Sequence, residues 1–303
     1  MMGHFSGRTA VITGAASGFG LEASRIAARE GMNVVMADVM PEPLAKAAAE
    51  VEGLGAQVLP FQLDVSRPER VEALADATAE RFGAPHFVFN NAGVGLGGLI
   101  WEHSVKDWDW IVGVNLMGVA HGVRVFTPLM LEAAKRDPAY RGHIVNTASM
   151  AGLVNMPNQG AYNVTKHAVV SLSETLYQDL ALVTEQVQAH VLCPYFVPTG
   201  IAHSERARPG EMREAAAPTP SQRAAQLMSE KAVSSGKVSA ADVAQFVFDA
   251  MVAGRFYIFS HPNERALLPV GVRGEDIVQM RNPTDPFAHR PELGQQLRAA
   301  LRG

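Results

Sequence analysis

The stretch Gly14-Ala15-Ala16-Ser17-Gly18-Phe19-Gly20 joins a short apolar run, Arg8 to Thr13, to a segment with helical spacing, Leu21 to Arg29. A strand that passes into a helix within so few residues needs backbone freedom at the bend, and the glycines supply it. The helix end that follows presents free N–H groups and a partial positive charge, which suit a pyrophosphate. The spacing is Thr-Gly-x-x-x-Gly-x-Gly rather than the commoner G-x-G-x-x-G, and a glycine-rich turn by itself also serves plain chain reversal. Its place in a strand–turn–helix unit near the start of the chain ties the fold to an open sheet that holds a ligand beyond its strand ends.

The rest of the chain keeps that rhythm. Asn33 to Ala37, Gln57 to Leu63, His86 to Phe89, His143 to Ala148, Gln188 to Cys193 and Phe256 to Phe259 read as strands. Between them, Leu44 to Val51, Pro68 to Phe82, Asp107 to Lys135, Ala161 to Leu182 and Ala240 to Val252 have helical spacing. Alternation of this kind predicts an α/β fold, a parallel sheet covered by helices on both faces.

Polar residues fall at the strand ends. Asp38 closes the second strand at about the distance beyond the glycines where an acid can accept hydrogen bonds from both ribose hydroxyls of a dinucleotide, and its charge would repel a 2′-phosphate. With no arginine in the turn or just after Asp38, the pattern favours NAD over NADP; the alternative is an aspartate that caps the next segment. Asp64 and Val65 are placed to meet an adenine ring, and Asn90-Asn91-Ala92-Gly93 to let a cofactor pass close to the backbone or simply to turn the chain. Pro194, Val197 and Thr199, past the sixth strand, are expected at the nicotinamide end, with Thr199 able to bond its carboxamide.

Tyr162 and Lys166 lie four apart in a helical segment, so both project from one face. An ammonium beside a phenol favours the phenolate, and the expectation is a tyrosine pKa drawn down toward neutrality for proton transfer. Ser149, just beyond a buried strand, can aim its hydroxyl at the same place. Asn115, among apolar neighbours inside a helix, must find partners or distort that helix; it either holds a water near Lys166 or is a satisfied core amide.

Composition narrows the classes of function. Over 303 residues the formal net charge is -4 and no Lys/Arg run occurs, so nothing is offered to nucleic acid. No stretch of about 18 apolar residues appears, and Met1 to Arg8 lacks a long apolar core, so a cytoplasmic protein off the membrane is expected. The single cysteine, Cys193, excludes an intrachain disulfide and a multi-cysteine metal site, and none of the ten histidines has metal-ligand spacing, so no metal is expected. Trp101, Trp108 and Trp110 are expected to pack in the core or at a subunit interface. Residues 201–236, with prolines at 209, 218 and 220, read as a lid over the substrate or a disordered loop, and the tail from His261 as a proline- and arginine-rich extension.

Thr13 to Gly20, Asp64, Asn90 to Gly93, Asn115, Ser149, Tyr162 and Lys166 together resemble, in order and spacing, the short-chain dehydrogenase/reductase family across roughly Gly7 to Ser260. The resemblance implies a single Rossmann-type doubly wound domain, residues 1–260, with a seven-stranded parallel sheet, a substrate loop at about 195–236 and an extension at 261–303. It implies a tetrad: Tyr162 as general acid/base, Lys166 lowering its pKa and binding the nicotinamide ribose, Ser149 orienting the substrate oxygen and Asn115 holding a relay water. Cofactor contacts would come from Gly14, Ser17, Gly18, Phe19, Gly20, Asp38, Asp64, Val65, Asn91, Ala92, Gly93, Tyr162, Lys166, Pro194, Val197 and Thr199. The implied activity is NAD-dependent interconversion of a secondary alcohol and a ketone by a homodimer or homotetramer packed through its two long helices. An NADPH-dependent carbonyl reductase or a catalytically silent nucleotide-binding protein are the alternatives. Two departures from the family pattern stand out: Pro194-Tyr195 in place of Pro-Gly, which narrows the site or reshapes the route past the nicotinamide, and Phe256 to Pro262 with the long tail, which together with Trp108-Asp109-Trp110 is similar to longer bacterial members, some acting on bulky aryl alcohols.

Overall fold

The apolar runs form strands β1 (Thr9–Thr13), β2 (Asn33–Asp38), β3 (Val58–Gln62), β4 (Phe87–Asn90), β5 (Gly142–Thr147), β6 (Val187–Cys193) and β7 (Tyr257–Phe259). The computed structural model describes residues 5–213, 216–288 and 290–302. The strands make one parallel seven-stranded sheet in the order β3-β2-β1-β4-β5-β6-β7. From β1 the chain winds outward through β2 and β3, then returns to β4 on the other side of β1, so a crevice opens at the carboxyl ends of β1 and β4. β1, β4 and β5 are buried along their whole length, as strands covered on both faces must be. Pro60 is tolerated because β3 is an edge strand.

One face carries α1 (Gly18–Arg29), α2 (Pro41–Glu52) and α8 (Ala240–Ala253), packed over Ile12, Met36 and Phe89. The other carries α3 (Pro68–Phe82), α5 (Gly118–Arg136) and α6 (Gly160–Val183), packed over Val11, Val35 and Ile144. Phe248 of α8 meets Phe5 and Phe87 edge-on, at 5.5 and 5.4 Å between ring centroids. Truncating a buried ring of this kind costs about 3–5 kcal/mol.

Three segments differ from expectation. The helix expected from Asp107 to Lys135 is α4 (Val105–Val112), a π-turn (Gly113–Met117) and α5, with Asn115 in the widened turn. Residues 201–236 are not a structureless loop: short 3₁₀ turns over Gly200–Ala207 and Gly210–Met212 lead to α7 (Pro220–Ser234). Thr219 and Gln222 form a reciprocal capping box around Pro220, which nucleates that helix. The proline- and arginine-rich tail, to which the sequence pattern assigns no elements, contains α9 (Glu264–Val278) and α10 (Pro291–Arg302). Trp110 is buried and Trp108 half-buried, but Trp101 stands 76% exposed and is not part of the core, which leaves for it the subunit interface of the two expected places.

The continuous helix Val105–Arg136 is the one among the described residues long and apolar enough by composition to cross a membrane. Asp107, Asn115 and His121 along it are buried in the domain, while 33% of its most apolar window is buried.

Candidate active site

The cofactor side of the crevice is built from main-chain contacts at strand ends. The Thr13 hydroxyl accepts from the N–H groups of Asn91 (2.9 Å) and Ala92 (3.0 Å), and the Asn91 amide donates back to the Thr13 carbonyl at 3.0 Å. These bonds lock the ends of β1 and β4 together. Gly14 needs its φ of +66°, and a Cβ at Gly20 would overlap the Gly14 carbonyl oxygen, so α1 can start this close to β1 only without a side chain there. Ser17, the N-cap of α1, makes no side-chain capping bond, which leaves first-turn N–H groups directed at the crevice. Asp38 accepts from the Ala16 N–H (3.1 Å) through one oxygen and from Met40 N–H (3.0 Å) through the other. It therefore does cap the segment after β2, while also fastening the glycine turn to the end of that strand. Asp64 accepts from the N–H and hydroxyl of Ser66, at 3.0 and 2.7 Å, which holds Val65 in place.

The opposite wall comes from β5 and α6. Lys166 Nζ donates to the Thr147 carbonyl at 2.9 Å and lies 5.6 Å from the centroid of the Tyr162 ring. Ser149 follows β5; its hydroxyl accepts from Ala151 N–H at 3.1 Å and donates to the Pro194 carbonyl at 3.5 Å. Asn115 pairs with the main chain of Val94 in both directions, at 2.8 and 2.9 Å, and donates to the Thr165 hydroxyl at 3.3 Å. A fully buried amide with strand-like partners explains the π-turn, because the helix widens to present it.

The electrostatics reverse one expectation. Burial raises the Tyr162 pKa above its ordinary value, and the Ser149 hydroxyl opposes that shift without overcoming it. Burial also pushes Lys166 down to about 8. The ammonium faces the Thr147 carbonyl rather than the phenol oxygen, so two desolvated groups each move toward their neutral forms. Cys193, wholly buried behind them, is pushed up to about 12, as an inert core thiol would be.

A continuous cleft of about 2370 Å³ runs from the glycine turn past Tyr162 to α7. Its lining includes Gly14, Ser17, Gly18, Phe19, Asp38, Asp64, Val65, Asn91, Ala92 and Gly93 of the expected cofactor set. Pro194, Val197, Thr199, Ser149, Tyr162 and Lys166 line it as well. Gly20 and Asn115 stand behind the lining. Gly20 permits the approach of α1 to Gly14, and Asn115 braces Val94. Free helix N–H groups, a glycine turn without room for side chains and Asp38 at the β2 end together fit a dinucleotide.

The substrate side is tied down by side chains that sequence reading did not single out. Arg208 Nη2 donates to Asp107 at 2.7 Å, both side chains 5% exposed, and the guanidinium lies 4.7 Å from the Trp110 ring centroid. Thr219 and Ser221 hydroxyls at the start of α7 donate to Glu102, at 2.6 and 2.5 Å. Gly95 N–H donates to Ser204 and Leu99 N–H to Ser221, at 2.8 and 3.1 Å. The Thr13 hydroxyl could have been found from its place before the glycine turn. The Asp107–Arg208 pair, 101 residues apart, had no local signal.

A doubly wound parallel sheet with this crevice is the scaffold of a Rossmann-type, dinucleotide-dependent oxidoreductase. The chain belongs to the short-chain dehydrogenase/reductase family: the short chain dehydrogenase family model matches residues 8–210. It is similar to a short chain dehydrogenase/reductase from Burkholderia phymatum solved in complex with NAD, 51% identical with a TM-score of 0.89, covering 94% of this chain and 99% of that one. It is 33% identical over 270 residues to the CLA biosynthesis dehydrogenase/reductase of Lactiplantibacillus plantarum, 88% of this chain and 92% of that protein. Over 267 residues it is 36% identical to the 1-deoxy-11-beta-hydroxypentalenate dehydrogenase of Streptomyces exfoliatus, 88% of this chain and 87% of that one.

Proposed function

We propose that this protein interconverts a bulky or aromatic secondary alcohol and its ketone, using NAD(H). The observation that carries the reading is the single cleft that joins the glycine turn and Asp38 to Tyr162, Lys166 and Ser149. The nicotinamide ring, when bound, supplies the hydride acceptor or donor. Tyr162 takes the hydroxyl proton as the alcohol is oxidised and returns it when the ketone is reduced. Ser149, aligned by Ala151 N–H, holds the reacting oxygen toward the phenol. Lys166, anchored on the Thr147 carbonyl and with its pKa pushed down to about 8 by burial, would hold the nicotinamide ribose and exchange a proton with Tyr162 only through a relay water near Asn115. Burial that keeps Tyr162 protonated suits it to donate in ketone reduction, and alcohol oxidation should gain with rising pH as the phenol gives up its proton.

Asp38 supports NAD over NADP, since a 2′-phosphate would meet its carboxylate where Ala16 and Met40 N–H groups already hold it. The bulky substrate is supported by the width of the cleft and by relatives whose names include a hydroxypentalenate dehydrogenase. Assembly as a homodimer or homotetramer through the outer faces of α5 and α6 is part of the same reading, and a native mass measurement tests it. The chemical test follows NADH absorbance with secondary alcohols from 2-butanol to 1-(2-naphthyl)ethanol, each with NAD and with NADP. We expect NAD-dependent turnover that favours the larger alcohols; an NADP preference or no turnover of any alcohol contradicts the proposal.

A further inference from the structure

The C-terminal helix α10 carries leucines at 293, 297 and 301, one per turn, with Gln296 beside them at the cleft and Glu292, Gln295 and Arg298 away from it. Leu297 is 5% exposed and Phe287, in the turn before the helix, 7%. Phe287 packs against the helix at Gly294, where a Cβ would stand 3.2 Å from its ring. The turn is tied locally: Phe287 N–H donates to Asp285 at 2.9 Å and its carbonyl accepts from Arg290 N–H at 2.8 Å. The apolar stripe of α10 lies against α7. Among the described residues no ion pair or side-chain hydrogen bond joins the two helices, so the docking is apolar.

Phe287, Leu293 and Leu297 line the same cleft as Ser149 and Tyr162, and from α7 Leu227, 67% exposed, and Met228, 36% exposed, line it too. Exposed apolar side chains that border a concave site are surface left for an apolar ligand. The α7 helix is itself pinned over the loop at Gly97 and Gly98 through Ala225, Ser221 and Gln222. The far end of the cleft is thus made by two helices, of which one belongs to the tail, and their apolar side chains stand there among polar ones such as Gln226, Glu230 and Gln296.

We propose that α10, through Leu293 and Leu297, forms the far wall of the substrate site and selects for large apolar substrates. This rests on the alcohol–ketone reading above for the identity of the reaction, but the wall is testable through binding alone. Small ketones would be held at the Ser149–Tyr162 end and would not reach α10, whereas a fused-ring ketone would.

The experiment measures binding of 2-acetonaphthone and of 2-butanone, by titration calorimetry, to the full-length protein saturated with NADH. It compares wild type with Leu293→Gln/Leu297→Gln and with the milder Leu297→Ala, the NADH dissociation constant reporting that each variant is folded. The double variant should bind 2-acetonaphthone at least about tenfold more weakly, roughly 1.4 kcal/mol, with 2-butanone changed less than about twofold, and Leu297→Ala should show a smaller loss of the same kind. Equal losses for both ketones, no loss for either, or no binding of 2-acetonaphthone by wild type overturns the wall. Selective binding that depends on α10 without turnover of 1-(2-naphthyl)ethanol would keep the wall and overturn the reaction. Turnover of that alcohol with unchanged binding in both variants would do the reverse.

Discussion

The two sides of the cleft are held together by different means. On the cofactor side, the side chains of Thr13, Asn91 and Asp38 bond to main-chain groups and so fasten the strand ends and the glycine turn, in partly buried positions. On the substrate side, Glu102 and Asp107 fasten a lid through side chains, and α10 adds only apolar contact. A site fixed by backbone geometry tolerates few sequences and holds one shape. A site assembled from side-chain latches can be reshaped by substitution without disturbing the sheet, which is what a family with one cofactor geometry and many substrates requires.

The largest blow to the substrate side is expected from Asp107→Asn. It leaves the buried Arg208 with only Glu205, 3.2 Å from Nη1, as a charged partner, and breaking a buried pair from one end costs up to about 3–5 kcal/mol. Denaturant unfolding should show that loss, and Asp107→Leu/Arg208→Met should recover much of it; a change under about 1 kcal/mol for Asp107→Asn would mean that the latch does not hold the lid. On the cofactor side, Gly20→Ala should force the Gly14 carbonyl aside, an overpacking cost of about 1–3 kcal/mol. NAD affinity should fall by about tenfold while 2-butanone binding to the NADH complex, measured at saturating NADH, stays within about twofold. If instead the substrate suffers and NAD does not, the two sides are not independent. The smallest effect belongs to Ser221→Ala, which removes one hydroxyl from Glu102, where Thr219 keeps another, and the acceptor of Leu99 N–H, a loss of about 1–2 kcal/mol seen as a shift in thermal midpoint.

The same contrast explains what the sequence made legible. Strands, the glycine turn and the four-residue spacing of Tyr162 and Lys166 are local patterns, and each is where it was expected. Gly20 was readable as a glycine of the turn, but its contact with the Gly14 carbonyl depends on how α1 is set against β1. The Thr219-Pro220-Ser221-Gln222 capping box was present to be read, yet three prolines nearby suggested a loop. The sign of the Tyr162 shift could not be read at all, because spacing places an amine beside a phenol but says nothing of how much water both have lost. Arg208 and Asp107, a hundred residues apart, meet only once the lid has folded onto α4.

The most direct test of the central claim is single-turnover NADH formation from 1-(2-naphthyl)ethanol by wild type and Tyr162→Phe, with the NAD dissociation constant measured for both. Tyr162→Phe should slow the step by about 10²–10⁴-fold while NAD binds within about twofold of wild type. Near-normal NADH formation by Tyr162→Phe would show that another group moves the proton, and that the Tyr162–Lys166–Ser149 wall is not the chemical centre of this cleft.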